Sequence, residues 1–217
     1  MRRAWWIAGL VLGLGGCASL TLQDRVQDYD EDGVYLFQHG DYEGARSNFQ
    51  QALALNPGDS SLLYNLGECY DRLGQPVQAE KYYLECLQKT PDHHACRHAL
   101  IVLKVTEGKP DEAAHMIQDW IAKEPKLATA YAVEGWYRHR QGDLPGAQFR
   151  LEQALELDPH NPQALTELGL VYEAMDRPDR ALVLYERSLD QDAHQPDVAQ
   201  RVQFLLTHGA TRPHPDD

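Results

Sequence analysis

The sequence predicts an all-α protein, a solenoid of five helical hairpins followed by one capping helix. Marker residues recur every 34 residues along most of the 217-residue chain, a period typical of repeat proteins. Between the markers, apolar residues recur at three- and four-residue steps, which indicates amphipathic helices. Four cysteines are too few for a scaffold built on disulfides, so helix packing has to form the fold.

The first 16 residues have the features of a secretory signal peptide. Two arginines precede a short apolar run that ends in small residues. The run is shorter than the ~20 residues that a membrane-spanning helix needs. The segment Leu14-Gly15-Gly16-Cys17 resembles a bacterial lipobox, which implies cleavage before Cys17 and lipid on that cysteine. In the alternative, the signal peptide is an ordinary cleaved one and Cys17 is incidental.

The residues after Cys17 bear on where the mature protein is held. They are Ala18 and Ser19, not the aspartate that retains well-known enterobacterial lipoproteins in the inner membrane. The resemblance therefore implies a lipid anchor at the periplasmic face of the outer membrane, with residues 17–25 as a short tether. Loss of the leader would leave 18 basic and 33 acidic side chains, a formal charge of roughly −15. Such an acidic chain is a poor partner for nucleic acid.

Prolines and glycines mark the 34-residue period. The prolines are Pro57, Pro91, Pro125 and Pro159, and the glycines are Gly40, Gly74, Gly108 and Gly142. A glycine in a short connection can adopt the left-handed turn that ends a first helix, and a proline ends the second helix because it cannot donate the next backbone hydrogen bond. Each period is therefore predicted to be one helical hairpin.

This pattern resembles the tetratricopeptide repeat (TPR). The second unit carries nearly all of the repeat's hallmarks: Leu63, Leu66, Gly67, Tyr70, Ala79, Tyr83, Cys86 and Pro91. In that register the repeats are 26–59, 60–93, 94–127, 128–161 and 162–195, and residues 196–217 form a capping helix and a tail. The middle repeat departs from the pattern at Ile101, Lys104 and Trp120, so we expect its hairpin to be splayed.

The resemblance implies that partner segments bind the concave face, at the second, fifth, ninth, twelfth and thirteenth places of each first helix. Those places are a mixture of apolar, aromatic and charged residues, which suggests anchors for a partner. The candidate groove residues are Val34, Phe37, Tyr64, Glu68, Arg72, His98, Val102, Val105, Trp136, Arg140 and Leu170. Trp136 is the strongest single candidate. In the alternative, these side chains pack against the capping helix or neighbouring helices.

Catalytic motifs are absent from the sequence, so we expect neither an enzyme nor a bound cofactor. One local cluster suggests a remote alternative, a metal- or redox-dependent role centred on His94, Cys96 and His98, because two histidines four residues apart on a helix can share an ion. Cys86 and Cys96 could form a disulfide, or could be small apolar residues buried between helices.

The predicted function is that of a membrane-anchored interaction scaffold of the bacterial cell envelope, with pilus or secretion-system assembly as the expected process. Among lipoproteins of this layout, the resemblance is to pilotin-like proteins of pilus assembly and to adaptors that recruit peptidoglycan hydrolases. The expected partners are other envelope proteins or peptides. A homodimer through a terminal helix is as compatible with the sequence as a monomer.

Overall fold

The computed structural model describes residues 21–212, and these form eleven α-helices without a β-strand. The predicted signal peptide, Cys17 and the end of the tail lie outside the described residues. The helices are α1 (Leu22–Gln38), α2 (Tyr42–Leu55), α3 (Ser60–Arg72), α4 (Pro76–Lys89), α5 (His94–Thr106), α6 (Pro110–Lys123), α7 (Ala128–Arg140), α8 (Leu144–Leu157), α9 (Pro162–Ala174), α10 (Pro178–Gln191) and α11 (Pro196–Thr207). The all-α prediction is confirmed.

The helices recur with the period of the sequence. From α3 onward, each odd-numbered helix begins 34 residues after the previous one, so α11 stands where a sixth repeat would begin. The first helix is longer than its counterparts because Thr21 caps it. The Thr21 hydroxyl accepts a hydrogen bond from the Asp24 N–H at 3.1 Å, and the Asp24 carboxylate accepts one from the Thr21 N–H at 2.7 Å.

The described residues form two compact units, 21–93 and 94–212. The N-terminal unit contains α1 to α4, and its core includes Phe49, Leu62 and Leu66. The C-terminal unit contains α5 to α11, and its cores include Ile117, Trp120, Leu151, Leu165 and Tyr185.

Glycines in the first helices let the hairpins pack closely. A Cβ atom at Gly67 would lie 2.3 Å from Cε1 of Tyr83. At this point of contact between α3 and α4 there is space for the glycine hydrogen but not for a methyl group. In the middle hairpin Ile101 takes that place, and fewer residues of α5 and α6 approach each other than in the other four hairpins. This agrees with the splayed hairpin that the sequence predicts.

The large residue of the middle repeat, Trp120, is buried in this wider hairpin. Its indole N–H donates a hydrogen bond to Glu124 at 3.1 Å, which satisfies the polar end of the ring. Lys104 is also buried, and its ammonium group lies 3.5 Å from the Glu107 carboxylate. The departures from the repeat pattern are therefore accommodated by local hydrogen bonds and ion pairs.

The turn glycines have the conformation that the sequence predicts. Gly74 has φ of +69° and Gly142 has φ of +79°, both in the left-handed region. In the last hairpin Asp176 takes this place with φ of +58°, a conformation that is less favourable for a residue with a Cβ atom.

Candidate partner-binding groove

Four of the candidate groove residues in the N-terminal unit line one cavity. Val34 and Phe37 from α1 face Tyr64 and Glu68 from α3 across a space of about 280 Å³. Val34 is 38% exposed, and the other three side chains are half-buried. We call this space the N-terminal cavity. Gln38, Phe49 and Asn65 complete its lining.

The polar atoms of the N-terminal cavity are held in place by hydrogen bonds. The Tyr83 hydroxyl donates to Oε1 of Glu68 at 2.6 Å, which fixes the carboxylate at the cavity wall. Burial, and then the charge of Glu68, raises the pKa of Tyr64 to about 12. Tyr64 therefore keeps its hydroxyl proton at neutral pH and can donate a hydrogen bond to a partner.

Arg72, the fifth candidate in this unit, lies beside the same cavity. Its guanidinium carbon is 5.9 Å from the centre of the Phe37 ring, and its side chain is exposed. Asn65 donates to the Asp30 carboxylate at 3.3 Å, and burial raises the pKa of Asp30. The cavity thus combines an apolar interior with a carboxylate on one wall and a guanidinium at the edge.

In the C-terminal unit, three first helices contribute to one polar and aromatic contact. The rings of His98 on α5 and Trp136 on α7 meet edge to face at 6.4 Å, and Nε2 of His98 lies 3.4 Å from the amide nitrogen of Gln163 on α9. Burial lowers the pKa of His98, so the ring is neutral at neutral pH and can accept a hydrogen bond from Gln163.

The other apolar candidates of the C-terminal unit are shared between core and surface. Val105 and Trp136 pack against the core that contains Ile101 and Ile117, and Leu170 packs against the core of α7 to α11. Val102 is also half-buried, whereas Arg140 is exposed. Each of these apolar side chains is therefore partly packed against neighbouring helices and partly accessible to a partner. Truncation of Trp136 is expected to disturb the core as well as the surface.

The structure brings together a carboxylate and an imidazole that no motif of the sequence predicts to be neighbours. Nδ1 of His139 lies 3.6 Å from a carboxylate oxygen of Glu167, on the neighbouring first helix α9. Burial raises the pKa of Glu167 to about 7, and the charges of Arg140 and Arg201 oppose that rise. Burial, with the charge of Arg140, lowers the pKa of His139. Glu167 stands at the sixth place of its repeat, outside the places that the family resemblance assigns to binding.

The proposed metal cluster has other partners in the structure. Nε2 of His94 lies 2.9 Å from Glu124, whereas His98 contacts Gln163 on a different helix. Cys96 is disulfide-bonded, so it has no thiolate to offer a metal ion. Cys69 is the free cysteine of the described residues, and burial raises the pKa of its thiol to about 12. His94 and His98 therefore contact different side chains, Glu124 and Gln163.

Across residues 21–212, every helix is too short or too polar to span a bilayer.

Comparison with known families decides the identity of the repeat. The family model described as tetratricopeptide repeat matches residues 36–85 and 138–202, more than half of the chain. The chain belongs to the tetratricopeptide-repeat family. TPR proteins generally bind other proteins or peptides, and this TPR chain is accordingly a protein-interaction scaffold.

Several known proteins resemble this TPR chain. Cellulose synthase operon protein C of Pseudomonas fluorescens is 29% identical over 162 residues, which is 71% of this chain and 13% of that protein. Type IV pilus assembly protein PilF of Pseudomonas aeruginosa is 29% identical over 143 residues, 65% of this chain and 57% of that protein. The chain thus spans only part of these curated relatives.

A solved structure confirms the architecture. The crystal structure of a thermophilic TPR protein of Thermus thermophilus matches with a TM-score of 0.69 and 26% sequence identity. The match covers 84% of this chain and 99% of that one.

Proposed function

We propose that this TPR chain is a membrane-anchored adaptor of the bacterial cell envelope that binds a segment of a partner protein in its groove and acts in pilus or secretion-system assembly. The observation that carries the proposal is the N-terminal cavity, where Val34, Phe37, Tyr64 and Glu68 surround one space. The similarity to the type IV pilus assembly protein and the lipobox-like segment before Cys17 support the choice of process and location.

Binding in the N-terminal cavity would combine apolar and polar contacts. An apolar partner side chain that enters between Val34 and Phe37 would be removed from water, which is worth about 1.5–3 kcal/mol for a fully buried residue of that kind. The Glu68 carboxylate can accept a hydrogen bond from the partner backbone or from a lysine, and Tyr64 can donate one. The activity proposed is binding alone, without a reaction or a cofactor.

The proposed anchor would hold the first helix close to the membrane. Because α1 begins at Leu22, the stretch from a lipidated Cys17 to Thr21 can extend at most about 18 Å, at roughly 3.5 Å per residue. Several acyl chains on one cysteine would make the attachment stable. Mass spectrometry of the mature N-terminal peptide, with Cys17→Ser as the comparison, tests the anchor. An unmodified Cys17 in the wild type would contradict it.

Crosslinking in intact cells tests the groove. The wild-type chain, Val34→Arg and the matched control Tyr35→Arg would each be crosslinked, purified and examined by mass spectrometry for captured proteins. Tyr35 is 60% exposed on the same helix and does not line the N-terminal cavity, so its substitution places the same charge beside the site. We expect Val34→Arg to lose the captured partner and Tyr35→Arg to keep it.

The identity of the captured protein tests the process separately. Pilus or secretion proteins are expected, whereas capture of cell-wall hydrolases would favour the alternative role, an adaptor that recruits peptidoglycan hydrolases. Equal capture by wild type, Val34→Arg and Tyr35→Arg would contradict binding in the N-terminal cavity.

A further inference from the structure

A second open space lies between α8 and α10 of the C-terminal unit. Its volume is about 550 Å³, and Leu168 and Tyr172 of α9, both buried, form its floor. Leu155, Val183 and Leu184 add further apolar surface. We call this space the α8–α10 groove. It is distinct from the places that the family resemblance assigns to partner binding.

The two edges of the α8–α10 groove carry opposite charges. Glu152 and Glu156 lie on α8, and Arg180 and Arg187 lie on α10. All four side chains are exposed. The guanidinium carbon of Arg180 is 5.5 Å from the centre of the Tyr172 ring, and Arg187 donates a hydrogen bond to the Pro159 carbonyl at 3.1 Å.

The same place in the N-terminal unit, three repeats earlier, is filled. Tyr70 corresponds to Tyr172, and Tyr82 corresponds to Leu184. The rings of Tyr70 and Tyr82 stack with centroids 5.2 Å apart and an interplanar angle of 10°. A leucine at position 184 is too short to cover Tyr172 in this way, so the α8–α10 groove is open.

An exposed phenylalanine stands at the edge of the open groove. Phe149 is 62% exposed on α8 and lies two helical turns before Glu156, on the same side of the helix. The guanidinium carbon of Arg150 is 5.6 Å from the centre of its ring. One surface therefore carries both an open apolar space and a large apolar side chain beside it.

We propose that the α8–α10 groove is a self-association site occupied by a second copy of this chain. A twofold axis that runs along the groove places α8 of one copy over α10 of the other. The acidic edge of each copy then faces the basic edge of its neighbour, and this contact occurs twice. The same operation brings Phe149 of each copy towards Val183 and the two arginines of the other.

Charge complementarity favours a second copy over an unrelated partner. The occupant must present basic groups towards α8, acidic groups towards α10 and an apolar side chain towards the floor. A second copy, rotated about the twofold axis, presents this arrangement: its basic α10 edge faces α8, its acidic α8 edge faces α10, and its Phe149 points towards the groove. The formal charge of the whole chain, −13, opposes association at long range, so the paired edges must provide the local attraction.

Charge reversal at one position of each edge tests the proposal. Two differently tagged copies of the full chain would be co-expressed, extracted in a mild detergent and purified through one tag. Wild-type copies are expected to co-purify. Glu156→Arg with itself, and Arg187→Glu with itself, are expected to lose the second copy by about tenfold, because like charges then face each other at both contacts. Glu156→Arg with Arg187→Glu is expected to restore it, because both contacts regain opposite charges.

Two further variants keep the test independent of the charged residues. Leu184→Tyr should cover Tyr172 as Tyr82 covers Tyr70, and should therefore lose the second copy while the helix content measured by circular dichroism is unchanged. Phe149→Ala, at an exposed position, should weaken co-purification without affecting folding. Wild-type copies that fail to co-purify, or equal recovery in all pairings, would overturn the proposal. The proposal would also be overturned if the chain is monomeric and a different protein co-purifies with the wild type but not with Leu184→Tyr. The α8–α10 groove would then be the binding site of that protein.

Discussion

Replacing Gly67 with alanine tests how closely α3 and α4 pack and how that packing supports the N-terminal cavity. The new Cβ atom would lie 2.3 Å from Cε1 and 2.6 Å from Cδ1 of Tyr83. Tyr83 is fully buried and its hydroxyl is bound to Glu68, so the ring has little freedom to move away. Overpacking of this kind costs about 1–3 kcal/mol, whereas alanine gains at most ~1 kcal/mol over glycine in helix propensity.

We therefore expect Gly67→Ala to lower the free energy of unfolding by up to about 2 kcal/mol. Urea unfolding followed by circular dichroism measures this, with Ser61→Ala, at an exposed position of the same helix, as the control. In a Tyr83→Ala background the ring is absent, so the same glycine substitution should become neutral or stabilising. An equal cost in both backgrounds would contradict this prediction, because the cost would then not arise from the contact with the ring.

Three further predictions concern the last hairpin, the buried carboxylate and the charge of the chain. Asp176→Gly should raise the free energy of unfolding by about 0.5–1 kcal/mol, and the reverse exchange Gly142→Asp should lower it, since both positions have positive φ; urea unfolding of the two variants checks this. Because burial raises the pKa of Glu167 to about 7, above its unfolded value, the folded chain binds more protons between those two pKa values and this group's contribution to stability falls as pH rises through that window. Unfolding midpoints at pH 5 and pH 7.5 should therefore differ less in Glu167→Gln than in the wild type, and an unchanged difference would contradict the assignment. Association with a basic partner should slow as ionic strength rises, and an on-rate that does not depend on salt would indicate an apolar contact alone.

The fold could be predicted because its main determinants are local and repeated. A glycine that must turn, a proline that must end a helix and apolar residues on one helix face recur at one interval, so each repeat supports the prediction for the others. The start of α1 is also determined by local sequence. The Thr21 to Asp24 capping box is visible in the sequence, although the repeat register alone points to a later start.

The candidate groove could be predicted only in outline, because cavities depend on which side chains meet across different helices. The N-terminal cavity follows from repeat positions, since Val34 and Glu68 occupy the same place in consecutive repeats. Trp136 packs partly against the core that contains Ile101 and Trp120 of the middle hairpin. The exposed fraction of its side chain therefore depends on how that hairpin packs. The open α8–α10 groove depends on the exchange of a tyrosine for Leu184, and its consequence appears only when the side chains are placed.

Photo-crosslinking from a single position shows whether a partner protein enters the N-terminal cavity. A photoreactive amino acid would be placed at Val34, inside the N-terminal cavity, or at Val77, which is 74% exposed on α4 and does not line that cavity. We expect illumination of intact cells to yield a covalent adduct with a partner protein from position 34 and none from position 77. An adduct from position 77 alone, or equal adducts from both positions, would contradict the claim that partners bind in the N-terminal cavity.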